Sequence, residues 1–155
     1  MKAKVLILAL GVITAATLAQ KVPNFSGSWQ FNAEKSKNVG MMAQMKMALT
    51  VQQTDSSLDI TTRSTYQGRN DDSKIHYDLK GKPVTNELPM GGPSETVSKW
   101  EGARLVTTWT GESAVAGGPK VVRTETRSLS PDGKTMTVES VRGSTPPVVM
   151  VFDKK

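Results

Sequence analysis

Cysteine is absent from the chain. Disulfide staples, thiolate metal ligands and a Cys/His nucleophile pair are thereby excluded, so stability has to come from an apolar core. Histidine is reduced to His76 alone, and a Ser/His/Asp hydrolase would have to rest on that one imidazole. Aromatic residues make up 5% of the chain and are not interleaved with dense Lys/Arg runs, which argues against stacking bases or gripping phosphates of a nucleic acid. Long hydrophobic runs are missing too. The one candidate, Val5 to Ala16, falls short of the roughly 20 residues that a membrane-spanning helix needs. Gly91-Gly92-Pro93 and Gly117-Gly118-Pro119 precede strand-like rather than helix-like segments, so they are turns and not phosphate-binding loops.

What is present begins with a leader pattern. Lys2 and Lys4 form a basic start, Val5 to Ala16 an apolar stretch, and Thr17-Leu18-Ala19 offers small residues where a signal peptidase reads. The expectation is a signal peptide over residues 1–19, cleaved after Ala19, and a mature chain with no stable membrane anchor, exported to the periplasm or beyond. Removing Lys2 and Lys4 lowers the formal net charge from +6 to +4, a value that favours solubility. Residues 20–155 lie within the usual size range of one domain, and no linker divides them.

The remaining pattern has period two. Leu58, Ile60, Thr62, Ser64 and Tyr66 alternate with Asp59, Thr61, Arg63 and Thr65; Ile75, Tyr77 and Leu79 alternate with His76, Asp78 and Lys80. Val148, Met150 and Phe152 oppose Val149, Val151 and Asp153, with similar alternation over 105–109, 121–129 and 136–141. Short turn sequences separate these runs: Asp55-Ser56, Lys80-Gly81-Lys82-Pro83, Glu101-Gly102 and Pro131-Asp132-Gly133. Connections this short force neighbours to run antiparallel. The expected fold is all-β, an antiparallel meander of about eight to ten strands that rolls into a barrel and so removes its edges. The segments 36–46, 88–93 and 115–119 interrupt the pattern, and Asp71-Asp72, after Gly68-Arg69-Asn70, reads as a solvated turn.

The stretch Asn24-Phe25-Ser26-Gly27-Ser28-Trp29-Gln30-Phe31, followed by Glu34-Lys35-Ser36, resembles the F-S-G-T-W opening of small exported lipocalin-like proteins of Gram-negative bacteria, largely of unknown function. The later hairpin Leu129-Ser130-Pro131-Asp132-Gly133-Lys134-Thr135 is similar to theirs as well. The resemblance implies a lipocalin-like barrel in which Gly27 and Trp29 sit on the first strand. The tryptophan would close the base under a basic side chain from the last strands, here Arg142 or Arg127.

A barrel of this size encloses one small ligand or is filled by its own side chains. The alternation turns Tyr66, Tyr77, Trp109, Val122, Met136, Val138 and Met150 inward, a lining suited to a hydrophobic or amphipathic molecule. Met41, Met42, Met45 and Met47 crowd one short stretch. Clustered thioethers bind soft cations such as Cu(I) or Ag(I), but Met41 and Met45 at helical spacing equally suit a lid packed over one barrel mouth. Glu95, Glu101, Glu112, Glu125 and Glu139 could supply paired carboxylates to a hydrolase, although Glu125 between Arg123 and Arg127 reads as part of a solvated outer face of alternating charge.

The reading that results is a non-enzymatic, cofactor-free exported barrel binding a small apolar or amphipathic ligand. Its main competitor is a filled barrel acting through its surface, with soft-metal binding and carboxylate hydrolysis behind.

Overall fold

The computed structural model describes residues 22–88, 92–113 and 115–155. Residues 1–19, where the sequence suggests a leader cleaved after Ala19, lie outside them, as do residues 89–91 of one interrupting segment. Among the described residues ten strands follow one another: β1 (Gly27–Phe31), β2 (Lys46–Gln53), β3 (Ser57–Tyr66), β4 (Arg69–Asp78), β5 (Val84–Leu88), β6 (Gly92–Glu101), β7 (Arg104–Gly111), β8 (Val121–Leu129), β9 (Thr135–Arg142) and β10 (Val148–Lys154). Each pairs antiparallel with its sequence neighbour except β4 with β5, and β1 also pairs with β10. The sheet therefore closes on itself apart from one seam, which gives a nearly closed ten-stranded meander barrel.

The turns explain the register. Gln67 and Gly68 both have positive φ, 48° and 78°, the two-residue hairpin geometry whose twist matches that of the strands it joins. With the turn confined to those two residues, Asp71 and Asp72 are not a turn as the sequence suggested. They are exposed members of β4, Asp72 lying 3.3 Å from Arg63 on the neighbouring strand. Likewise β6 begins at Gly92, so the segment 88–93 is partly strand. The interruption after β1 contains a single 3-10 turn, Gly40–Gln44, before β2 starts at Lys46.

The alternation sorts the side chains between core and surface. Trp29, Leu49, Val51, Leu58, Ile60, Tyr77, Leu105, Trp109, Met136, Val138 and Phe152 form one buried cluster. At the base, Phe25 stacks on Trp100 with ring centroids 5.9 Å apart, and Trp29 donates its indole N–H to the Phe25 carbonyl at 2.9 Å. Gly27 has φ +135°, a conformation that disfavours a side chain, and a Cβ there would meet Lys154 Cε at 3.1 Å. Lys154, the Cα partner of Trp29, places its ammonium 5.3 Å from the ring. The basic side chain over Trp29 is thus Lys154 and not Arg142 or Arg127. Arg142 pairs with Arg123 on another part of the barrel and is exposed, while Arg127 lies over Tyr77.

Candidate functional site

The inner wall is divided in character. Of the eight buried polar or charged residues among those described, all but Ser64 lie on four consecutive strands: Asn86 on β5, Ser94, Thr96 and Ser98 on β6, Thr107 on β7, and Glu125 and Arg127 on β8. The other strands present Leu49, Ile60, Ile75, Val138 and Met150 instead. The hydroxyls on the polar side bond one another where they can: Ser98 Oγ and Thr107 Oγ1 are 2.8 Å apart, and Asn86 Nδ2 donates to Thr96 Oγ1 at 2.9 Å.

Strand β8 supplies the charge, with the opposite parity to that expected. Val122 is 51% exposed, whereas Glu125 and Arg127 are 7% and 5% exposed. Arg123, Glu125 and Arg127 share the inner face because their ladder partners on β7, Trp109, Thr107 and Leu105, are themselves turned inward. Val122 is therefore not a lumen residue, and the Arg-Glu-Arg run is not an outer surface. Each of these three side chains makes an interior contact. Arg127 Nη2 donates to Glu125 Oε1 at 2.7 Å, its guanidinium lies 5.5 Å from the Tyr77 ring, and the Arg123 guanidinium lies 4.6 Å from the Trp109 ring. Tyr77 meets Trp109 edge to face at 5.8 Å and directs its hydroxyl toward Glu125 Oε1 at 3.4 Å.

Burial, reinforced by the Glu125 carboxylate, pushes the Tyr77 hydroxyl above its ordinary range, so it stays a neutral donor. Burial also works against the charge on Arg127, but Glu125 and Tyr77 outweigh it and hold its pKa above the usual guanidinium value. Several donors remain unmatched by any acceptor among the described residues: Trp109 Nε1, Arg123 Nε, and Arg127 Nε and Nη1. A buried donor left without any acceptor costs about 1–3 kcal/mol, so a water or ligand oxygen is favoured at each.

The other lumen candidates take graded positions. Tyr77, Trp109, Met136 and Val138 are buried, Met150 packs half-buried on the core, and Tyr66 is half-buried at the end of β3 beside the Gln67 amide. The methionines separate: Met41 is 73% exposed, whereas Met42 and Met47 pack against the core. That distribution suits a packed cover better than a shared cation. His76 lies on the outer surface, its Nδ1 2.7 Å from Asp59 Oδ1. Ser57 Oγ contacts the other Asp59 oxygen, so the serine meets the carboxylate and not the imidazole, unlike a nucleophile–base pair. Glu95, Glu101, Glu112 and Glu139 are exposed and do not join Glu125 inside. Among the described residues, no group of three His, Asp or Glu side chains could hold a metal ion.

The inward Arg-Glu-Arg face is the feature that the sequence alone did not reveal. A cue exists in the uncharged, β-branched opposite face, Val122, Thr124 and Thr126, which reads as strand surface in either orientation.

No protein-family model matches the chain, and no curated protein sequence matches it significantly. Solved structures do match in shape. A fatty acid transporter, REP1-NXSQ, aligns with TM-score 0.64 at 14% identity over 84% of this chain and 95% of that one. Fatty-acid-binding protein 1 of Echinococcus granulosus aligns with TM-score 0.64 at 14% identity over 84% and 96%, and a point mutant of the fluorescent protein UnaG with TM-score 0.63 at 14% identity over 84% and 96%. At this identity the likeness establishes the lipocalin-like barrel fold.

Proposed function

We propose that this protein is an exported binding barrel that encloses a small amphipathic molecule. The observation that carries the reading is the divided inner wall, with all buried polar groups but Ser64 gathered on β5 to β8 and the other strands lined by apolar side chains. A barrel filled only to stabilise itself has no need to segregate the two, whereas a ligand with an apolar body and a polar end matches both sides at once. The fatty acid named in the descriptions of two similar barrels is a molecule of that kind. Export, to the periplasm or the medium, rests on Lys2, Lys4, the apolar stretch to Ala16 and the small residue Ala19. The F-S-G-S-W opening supports a place among the exported lipocalin-like proteins of Gram-negative bacteria.

The test is native mass spectrometry of protein purified from its host's envelope fraction, followed by denaturation and identification of what is released. A stoichiometric amphipathic passenger on a chain beginning at Gln20 is the expected result. A mass equal to that of the bare polypeptide, unchanged after incubation with total host lipid, would favour a filled barrel that acts through its surface.

A further inference from the structure

The lumen has more donors to satisfy than acceptors to offer. Among the described residues, the buried nitrogens without a protein acceptor, on Trp109, Arg123 and Arg127, are all N–H groups. Trp109 and Arg123 are ladder partners on β7 and β8, and Arg127 follows on the same inner face of β8. Within this run the one carboxylate, Glu125, is already held by Arg127 Nη2 at 2.7 Å and approached by the Tyr77 hydroxyl. Two guanidinium groups against one carboxylate leave an excess positive charge. Arg142, directly opposite Arg123 on β9 and exposed, extends that charge to the solvent.

A neutral alcohol or amide end would answer some of these donors but not the charge, and a cationic end would answer neither. An oxyanion does both, because charge-assisted bonds to a guanidinium are stronger than neutral ones and a planar head can accept from two nitrogens at once. Resting on the enclosed-ligand reading above, we infer that the polar end of the ligand is a singly charged oxyanion, a carboxylate or a sulfate monoester, seated against Arg123, Trp109 and Arg127. Its apolar chain then runs along Val138, the ladder partner of Arg127, and on to Met150 and Ile75 on β10 and β4.

Three probes with the same twelve-carbon chain separate the possibilities: dodecanoate, dodecanol and dodecyltrimethylammonium, each titrated below its micelle concentration into the full mature protein by calorimetry. Dodecanoate is expected to bind at least roughly tenfold more tightly than dodecanol, and the ammonium more weakly than either. Arg123→Met, which strips no partner from Glu125, should bring the acid down to the affinity of the alcohol while leaving the alcohol within about twofold of wild type. Because Arg127→Met alone strands Glu125 and risks misfolding, the paired change Arg127→Met/Glu125→Leu is the second variant, with the same expected loss of preference. Equal binding of acid and alcohol, or a preference that survives both variants, overturns the oxyanion while the carrier stands. Failure of all three probes to bind overturns the enclosed-ligand reading and this inference together. Dodecyl sulfate as a fourth probe then distinguishes the two oxyanion sources.

Discussion

Asn86 holds the main chain of His76 with both ends of its side-chain amide. Nδ2 donates to the His76 carbonyl at 2.8 Å, and Oδ1 accepts the His76 N–H at 2.9 Å. These two bonds have the form of a ladder rung, and they fall where β4 and β5 do not pair. A buried side chain thus provides backbone-like bonding across the seam.

Replacing Asn86 with Ala leaves both groups of His76 and the Thr96 hydroxyl short of a partner. The expected loss is about 1–3 kcal/mol in urea unfolding, accompanied by faster hydrogen exchange at the His76 amide. An unchanged exchange rate there would show that the seam is held by other contacts.

The Glu125–Arg127 pair behaves differently when broken and when removed. Glu125→Leu or Arg127→Met alone strands a buried charge and should cost about 3–5 kcal/mol, whereas the double change should recover most of that loss. A urea double-mutant cycle reads the coupling. Purely additive losses would contradict the 2.7 Å contact.

How far the sequence could be read depends on contrast. On β3 and β4, Leu58, Ile60 and Tyr77 face the core and Asp59 and His76 face water, so the alternation assigns both faces unaided. The leading half of β4 escapes notice because Arg69 to Asp72 are polar throughout and mimic a turn. On β8 both parities are polar or β-branched, and the rule that charge lies outside chooses wrongly. What turns Arg127 inward is the sheet around it, where its ladder partners Leu105 and Val138 are core residues. That information resides in register, which a lone strand does not encode. The identity of the cation over Trp29 has the same origin: only the pairing of β1 with β10 brings Lys154 to the ring.

Gly27→Ala tests the opening motif. A side chain at φ +135° is strained whatever room surrounds it, and the expected destabilisation is about 1–3 kcal/mol. Lys154→Met, which removes only the cation from the tryptophan face, should cost about 0.5–1 kcal/mol. A Gly27→Ala loss that vanishes in the Lys154→Met background would mean that Gly27 is needed for the cation and not for its backbone.

Asp153 gives the acid limb of stability a named contributor. Hydrogen bonds from Lys35 first, then from Asn32, hold its carboxyl below the ordinary value of 3.8. A group depressed on folding stabilises above its unfolded pKa and loses that contribution as pH falls through the folded value. The difference in urea midpoint between wild type and Asp153→Asn should therefore be full at neutral pH and shrink below about pH 4. A difference that persists unchanged to about pH 2 would locate the effect in packing.

The pairing of the first strand with the last governs when this molecule can exist at all. β1 is flanked by β2 and β10, so one whole side of it stays unpaired until the segment from Val148 onward arrives. Each hairpin between β2 and β9, β4 and β5 excepted, can form as soon as its own two strands are available, but closure joins residues near opposite ends of the chain, a contact of very high sequence separation and correspondingly slow. Until β10 docks, the chain is two separate sheets, β1 to β4 and β5 to β9, with the edges of β1 and β9 bare as well as those of β4 and β5, the form in which β-proteins aggregate. Its most vulnerable interval therefore ends when β10 docks, because that one strand covers the edges of β1 and β9 at once.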